Sequence, residues 1–122
     1  TDHAPHTEYE KSQGFYDSPF GIIGLETAFG LAYTYLVRRD ILSFNALLFK
    51  MSVNPRRILG LDDVNIKMGV TANLSVLDLN SNWIVKKNNS KSKSRNTPFD
   101  GFRLYGKPFM VINKGQKVFS EL

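Results

Sequence analysis

The sequence predicts a chain in which helices come first and antiparallel strands follow. Apolar residues recur at three- and four-residue spacing between Leu25 and Leu36, which indicates an amphipathic helix. From Ile66 onward the apolar period changes to two, as in strands that have one solvent-exposed face. Because helices and strands do not alternate along the chain, these patterns favour two structural units over a single alternating βα domain.

The N-terminal segment is predicted to be irregular. Residues 1–7 are typical of a strand end that runs into a loop, because Pro5 blocks a regular continuation. Residues 8–19 are rich in turn-forming residue types, among them Gly14 and Pro19, and are predicted to form a loop. We therefore expect a strand end and a loop before the first helix.

Two helices are predicted in the first half of the chain. The first ends near Arg38 and Arg39, whose cations complement the negative end of the helix dipole. Ser43 is predicted to cap the start of the second helix, because its hydroxyl can accept a hydrogen bond from a backbone N–H. We expect Pro55 to end that helix and to begin a short one, which Gly60 stops.

The second half is predicted to form short antiparallel strands. The alternating stretches occupy residues 73–79, 83–85, 109–112 and 117–119. The Asn-Ser-Asn sequence of residues 80–82 is expected to form a turn between the first two stretches. The last two stretches are expected to pair as a hairpin that turns at Lys114 and Gly115.

Basic residues cluster in one predicted loop. Residues 85–107 hold seven Lys and Arg against the single anion Asp100, in a chain whose formal net charge is +5. The neighbouring aromatic residues Phe99, Phe102 and Tyr105 could stack on single-stranded nucleic acid. Runs of charge are more often solvated faces, so we interpret this segment as an exposed loop and expect no nucleic-acid partner.

The composition excludes several classes of protein. The chain has no cysteine, so disulfide frameworks and thiolate chemistry are ruled out. No apolar run approaches the roughly 18 residues that a membrane-spanning helix needs, so no membrane partner is expected. These features are compatible with a cytoplasmic protein.

The opening segment, TDHAPHT, carries the most suggestive cluster of reactive side chains. Asp2, His3 and His6 can ligate a transition metal or move protons, since imidazole titrates near physiological pH. A complete zinc site needs three or four protein ligands, and no histidine or cysteine follows His6. Taken alone, the chain therefore holds at most part of an active site.

Four motifs occur in a fixed order along the chain. They are DHAPHT at residues 2–7, SPFGIIGLET at residues 18–27, SVNPRRILG at residues 52–60 and SRNTPFDG at residues 94–101. Together they closely resemble the C-terminal portion of dihydroorotase, in its longer bacterial type within the amidohydrolase superfamily, and the resemblance covers essentially the whole chain. His6 is the best single discriminator, because hydantoinase-like and allantoinase-like relatives typically carry Phe or Cys at its place.

The resemblance implies an α/β fold, namely the C-terminal part of a metal-dependent (β/α)8 TIM barrel plus part of a small β-sandwich. Residues 1–64 would form the C-terminal end of the catalytic barrel, with the end of its last strand and the closing helices. Residues 65–122 would form the β-sandwich subdomain. Asp2 would then lie at the C-terminal end of the eighth barrel strand, where barrel enzymes place catalytic groups.

The resemblance also implies an activity, the zinc-dependent reversible cyclisation of N-carbamoyl-L-aspartate to L-dihydroorotate in de novo pyrimidine biosynthesis. Asp2 would ligate the metal, accept the proton of the attacking water and return it to the leaving nitrogen. His6 would bind the substrate's carboxylate, and Phe20 and Gly21 would offer backbone groups to its ring. His3 we interpret as structural. One or two zinc ions are implied, with most ligands upstream of this chain, so the isolated chain is expected to be inactive.

The implied partners are the small-molecule substrate and the remainder of the barrel, with a homodimer or a complex with aspartate transcarbamoylase as further alternatives. Two other functions stay open. One is a non-catalytic dihydroorotase homologue that serves as a scaffold for aspartate transcarbamoylase. The other is a related cyclic amidase, such as a hydantoinase or an allantoinase. The presence of both Asp2 and His6 argues against the scaffold.

Overall fold

The computed structural model describes residues 1–62 and 65–120 of the chain. The predicted order of elements is confirmed, because the described helices precede the three strands. The exception is a single 3-10 turn between the first two strands. The three strands form one antiparallel sheet. The unit boundary predicted after residue 64 falls at the gap and lies outside the described residues. Within the described part of the chain, no helix has the length and apolar character needed to span a membrane.

The first element is a short helix, α1 (Glu8–Lys11), that the sequence analysis missed. Thr7 caps it: the Thr7 hydroxyl accepts the N–H of Glu10 at 3.2 Å, and the Glu10 carboxylate accepts the N–H of Thr7 at 2.7 Å. This reciprocal capping box satisfies backbone donors at the helix start. The prediction of a loop over residues 8–19 is therefore wrong for α1, and the Thr-x-x-Glu spacing is the signal that could have found it.

The amphipathic helix predicted next is confirmed. It comprises α2 (Ala28–Ala32), which continues directly into a π-helical turn (Tyr33–Val37). The turn that follows the helix contains Asp40, which has a φ of 57°. The N–H of Ile41 donates to the carbonyl of Leu36 at 2.9 Å, a bond that closes the helix end in the Schellman manner.

A second helical run follows, made of α3 (Phe44–Leu48), a π-helical turn (Phe49–Val53) and α4 (Asn54–Ile58). The predicted cap is confirmed, since the Ser43 hydroxyl accepts the N–H of Ala46 at 3.2 Å. The short helix predicted at Pro55 is confirmed as α4, whereas the expected break before it is absent, because the helical backbone continues from the π-helical turn. Pro55 stands in the first turn of α4, directly after the π-helical turn, where a missing N–H is tolerated. The run ends before Gly60, as predicted.

The sheet has the order β1-β2-β3. Its strands are β1 (Leu74–Ile84), β2 (Arg103–Asn113) and β3 (Gln116–Ser120). The turn predicted at residues 80–82 is wrong, because Asn80 and Ser81 lie in a bulge inside the single strand β1 and Asn82 pairs with Tyr105. The Asp78 carboxylate accepts the N–H groups of Asn80 and Ser81 there, both at 3.0 Å. The hairpin between β2 and β3 is confirmed, with φ of 49° at Lys114 and 76° at Gly115.

The helical part packs on the sheet through two glycines. A Cβ at Gly30 in α2 would lie 3.1 Å from Cζ2 of Trp83 and 3.2 Å from Cδ1 of Leu104. A Cβ at Gly106 in β2 would lie 2.9 Å from Cε1 of Phe29. The buried apolar side chains of the described residues are those of Ile23, Leu47, Val85 and Leu104. This small core holds α2 against β2 and lies beside the N-terminal segment.

Candidate functional site

The N-terminal segment lies directly against residues 19–24. His3 and Ile22 form an isolated parallel bridge, and the N–H of Ala4 donates to the carbonyl of Ile22 at 2.9 Å. A Cβ at Gly21 would lie only 2.5 Å from Cβ of Ala4, and Gly21 has a φ of +96°. This close approach and this backbone conformation both require glycine. The structure therefore brings together the two segments in which the sequence analysis predicted substrate-binding residues.

His6 joins these two segments through its side chain. Its Nε2 lies 2.9 Å from the carbonyl oxygen of Phe20. Because a carbonyl only accepts hydrogen bonds, Nε2 carries the proton and donates it. The other ring nitrogen, Nδ1, lies 4.0 Å from the Glu10 carboxylate. The half-buried imidazole thus holds the Phe20 turn with one nitrogen and has the other near the Glu10 carboxylate.

Two further side chains hold the same turn, and the sequence analysis assigned neither of them a role. The ammonium group of Lys11 donates to the carbonyl of Pro19 at 2.7 Å and to that of Gly21 at 3.3 Å. The side-chain amide of Asn96 donates to the carbonyl of Ala4 at 2.8 Å. Only the placement of Asn96 inside the SRNTPFDG motif could have drawn attention to it, because no local pattern predicts a contact across ninety residues of chain.

Asp2 precedes the bridge between the two segments. Its side chain is exposed, and its backbone has a φ of 46°, in the left-handed region that non-glycine residues seldom adopt. Such a conformation persists only where the surrounding contacts impose it, and here His3 is anchored immediately after it. Nδ1 of His3 accepts the N–H of Gly24 at 3.1 Å. This contact supports the structural role predicted for His3.

The carboxylate of Glu10 has a pKa that its neighbours shift. The backbone N–H of Thr7 and then its hydroxyl donate to this carboxylate, and they lower the pKa of Glu10 below its ordinary value of 4.5. Nearby His6 lowers it further. Glu10 therefore remains ionised beside His6 while it caps α1.

The metal-binding capacity of the described residues is small. They contain no group of three or more His, Cys, Asp or Glu side chains close enough to hold an ion. Asp2 can supply one oxygen ligand, whereas a zinc site uses three or four protein ligands. Any metal bound at Asp2 therefore needs ligands from outside the described part of this chain.

The basic loop lies between β1 and β2, as predicted, and is fastened to the helical part. One carboxylate oxygen of Glu26 accepts the Ser90 hydroxyl at 2.5 Å and the N–H of Lys91 at 2.8 Å. The rings of Phe99 and Phe102 pack edge to face, with centroids 5.6 Å apart. Backbone donors and two of the aromatic residues of this loop are thus engaged within the chain.

Comparison with known proteins finds relatives for nearly the whole chain. No protein-family model matches the sequence. The chain is 47% identical over 116 residues to the dihydroorotase of Clostridium botulinum, covering 95% of this chain and 28% of that protein. It is 46% identical over 118 residues to the dihydroorotase of Ruminiclostridium cellulolyticum, covering 97% and 28%. The resemblance to dihydroorotase is thus confirmed for nearly the whole chain, which spans only about 28% of these relatives' length.

Solved structures match the fold as well. A D-hydantoinase (dihydropyrimidinase) from Thermus sp. superposes with a TM-score of 0.88 at 26% identity, over 99% of this chain and 28% of that one. An L-hydantoinase (dihydropyrimidinase) from Arthrobacter aurescens gives a TM-score of 0.78 at 27% identity, over 87% and 24%. The described helices and three-stranded sheet therefore correspond to about a quarter of a larger enzyme fold.

Proposed function

We propose that this chain, a homologue of the dihydroorotases over nearly its whole length, forms the C-terminal part of such an enzyme. The activity proposed is the reversible cyclisation of N-carbamoyl-L-aspartate to L-dihydroorotate, in the cytoplasm. One observation carries the proposal. The DHAPHT segment, which holds Asp2 and His6, is fastened against the Phe20–Gly21 turn by the hydrogen bond from His6 to Phe20. The residues that the resemblance assigns to catalysis and to substrate binding thereby share one corner of the molecule.

The surface of the chain supports its being one part of a larger barrel enzyme. It exposes 9090 Å², whereas a compact monomer of 13.8 kDa exposes about 6600 Å². Several large apolar side chains are almost fully exposed, among them Phe20 at 94%, Ile66 at 88% and Met68 at 101%. In this proposal residues 1–64 complete a (β/α)8 barrel, residues 65–122 belong to a β-sandwich, and the rest of the barrel covers these side chains.

Asp2 is the proposed catalytic residue and the one metal ligand from this chain. Its exposed carboxylate, on a backbone held in the left-handed region, fits a role as one oxygen ligand among several. One or two bound zinc ions would supply Lewis acidity and an activated water. In the ring-opening direction, Asp2 accepts the proton of the attacking water and returns it to the ring nitrogen that leaves. This transfer makes one side chain the base and then the acid of the same reaction.

The substrate is bound by His6, Phe20 and Gly21 in this proposal. In the structure Nε2 of His6 binds the Phe20 carbonyl, and in this proposal the His6 ring contacts the substrate's carboxylate through an N–H. Backbone groups of Phe20 and Gly21, beside His6, contact the dihydropyrimidine ring in this proposal. Backbone groups held by a fixed turn orient a ring without an entropy loss of their own at binding.

The decisive experiment is the substitution Asp2→Asn in the complete parent polypeptide. We expect kcat to fall at least about 100-fold, which is the usual contribution of a positioned acid–base group. The matched control is Asp17→Asn, which makes the same chemical change at an exposed carboxylate of the nearby loop and should leave kcat unchanged. His6→Ala should instead raise the KM for dihydroorotate. An Asp2→Asn enzyme with wild-type kcat would refute the assignment.

The chain by itself should neither turn over dihydroorotate nor hold zinc tightly. Asp2 supplies a single ligand, and one carboxylate cannot compete with a chelator for the ion. Equilibrium dialysis of the 122-residue chain against zinc and a competing chelator measures this directly. Stoichiometric zinc in that experiment would contradict the proposal that most ligands lie elsewhere in the parent protein.

A related cyclic amidase is the second candidate, favoured by the fold likeness to the hydantoinases. Dihydrouracil is dihydroorotate without its carboxylate, so the two substrates differ in the group that His6 is proposed to bind. A dihydroorotase prefers dihydroorotate in kcat/KM, and His6→Ala reduces that preference. A parent enzyme that prefers dihydrouracil or hydantoin would establish the second candidate. A protein that turns over none of these and binds aspartate transcarbamoylase would instead be a scaffold.

A further inference from the structure

Asn96 is the side chain through which the β part of the chain reaches the candidate site. It lies in the loop between β1 and β2, and it is half-buried while most of its basic neighbours are exposed. We propose that Asn96 is a positioning residue, whose side-chain amide sets the distance between the His6 segment and the Phe20–Gly21 turn. The inference rests on the proposed function, because it assigns Asn96 to the binding of the same substrate.

Both polar atoms of the Asn96 side chain form hydrogen bonds to the two segments, and we call this set of contacts the clasp. Its Nδ2 group donates to the carbonyl of Ala4 at 2.8 Å and, more weakly, to that of Gly21 at 3.4 Å. Its Oδ1 accepts the N–H of His6 at 3.3 Å. The Asn96 main-chain carbonyl also accepts the N–H of Ile23 at 3.1 Å. One residue thus contacts both segments, on either side of the groups proposed to bind substrate.

The clasp acts on a junction that has little room to adjust. The two segments approach so closely that a Cβ at Gly21 would lie 2.5 Å from that of Ala4. A displacement of one segment therefore moves the Phe20 carbonyl relative to the His6 ring that binds it. Misplacement of a substrate-binding group by about 1 Å can reduce the efficiency of an enzyme about 100-fold.

The chemistry of the amide explains why asparagine suits this position. An amide offers two donors and one acceptor on a single short side chain, and the clasp needs all three. A carboxylate of the same shape has only lone pairs, which would face the carbonyls of Ala4 and Gly21. Asn96→Asp therefore removes the two hydrogen bonds that Asn96 donates, to Ala4 and Gly21, while it preserves the volume of the side chain and the acceptor for the His6 N–H.

Asp2 lies outside the clasp. The hydrogen bonds of the Asn96 side chain join it to Ala4, His6 and Gly21, and Asp2 precedes Ala4 by two residues. A positioning role for Asn96 predicts a split between the kinetic constants, because substrate binding weakens while the proton transfer at Asp2 is preserved. A merely structural role predicts fewer folded molecules with unchanged KM.

The test is steady-state kinetics of Asn96→Asp in the complete parent polypeptide, with dihydroorotate as substrate. We expect KM to rise about 10- to 100-fold while kcat stays within about threefold of the wild type. The matched control is Asn88→Asp, the same substitution at an exposed position of the same loop, which should leave KM unchanged. A wild-type KM in folded Asn96→Asp enzyme overturns the inference, as does a loss confined to kcat.

Asn96→Ser provides the second variant if Asn96→Asp fails to fold, because serine is neutral and too short to reach both segments. The same rise in KM is expected. If neither variant folds, hydrogen exchange of the wild-type protein decides. The amides of His6 and Ile23, both bound to Asn96, should open with one common rate, and independent rates overturn the clasp.

The failure of this inference can be told apart from failure of the proposed function. A parent enzyme that converts dihydroorotate, loses turnover with Asp2→Asn and keeps its KM with Asn96→Asp refutes the clasp alone. A parent protein with no activity on dihydroorotate refutes the proposed function. In that case the exchange rates of His6 and Ile23 still test whether Asn96 joins the two segments.

Discussion

Substitution of Gly106 by alanine tests the contact that holds the helical part against the sheet. Gly106 lies in β2 with a φ of +79°, and a Cβ there would lie 2.9 Å from Cε1 of Phe29 and 2.9 Å from Cδ1 of Tyr33. Both neighbours are aromatic rings that stack on each other with centroids 5.9 Å apart. A methyl group at this position therefore forces the rings, and with them the helix, away from the strand.

The magnitude follows from two separable effects. A left-handed backbone costs about 1–2 kcal/mol for alanine relative to glycine, and overpacking of a filled contact costs about 1–3 kcal/mol more. Gly101 offers the matched control, since it has a φ of +81° and a Cβ added there would meet no atom within 4 Å. Gly101→Ala should therefore show the backbone effect alone.

The assay is amide hydrogen exchange at Tyr105 in the complete parent polypeptide. The N–H of Tyr105 donates to the Thr34 hydroxyl at 2.8 Å, so it links β2 directly to the helix and exchanges when the contact opens. Overpacking by about 2 kcal/mol corresponds to exchange about 30-fold faster in Gly106→Ala than in Gly101→Ala. Equal exchange rates in the two variants would refute the packing of α2 on β2 at this glycine.

Two further predictions concern carboxylates that hold loops. The pKa of Glu10 is lowered in the folded chain, so the protection of the Thr7 amide from hydrogen exchange should be complete above pH 4.5 and be lost as the pH falls through the lower folded value. Glu10→Gln should abolish this pH dependence. An unchanged pH dependence in that variant would exclude the capping box. Glu26→Ala should accelerate tryptic cleavage after Lys91 about tenfold, because a hydrogen bond to a charged group contributes about 1.5 kcal/mol. Equal acceleration by the control variant Glu8→Ala would show that the contact of Glu26 does not hold the loop.

Local chemistry in the sequence predicted much of the fold. Ser43 is a good acceptor for a helix N-terminus, and Lys114-Gly115 suits a tight hairpin, so both features could be read from a few neighbouring residues. The capping box of Thr7 and Glu10 is also a local feature, and the Thr-x-x-Glu spacing is sufficient to predict it. Features of this kind depend on backbone donors and acceptors within one turn.

The errors came from places where the surrounding structure overrides a local preference. Pro55 has the chemistry of a helix breaker, yet it stands in the first turn of α4, where its missing N–H is tolerated, and the helical backbone continues. Residues 80–82 have the chemistry of a turn, and the Asp78 carboxylate does bind N–H groups there. Asp78 and Asn82 nevertheless both pair with β2, so the residues between them form a bulge within one strand. The strength of cross-strand pairing is decided by the partner strand, which a local window does not contain.

The same division runs through the candidate site. The sequence by itself determined which groups are chemically able to act, because carboxylate and imidazole side chains at Asp2 and His6 are properties of the residues alone. Only the tertiary structure decided that Nε2 of His6 binds the Phe20 carbonyl and that Asn96 clasps both segments. The physical reason is that these hydrogen bonds join groups 14 to 92 residues apart, and chain folding brings them within 3.3 Å.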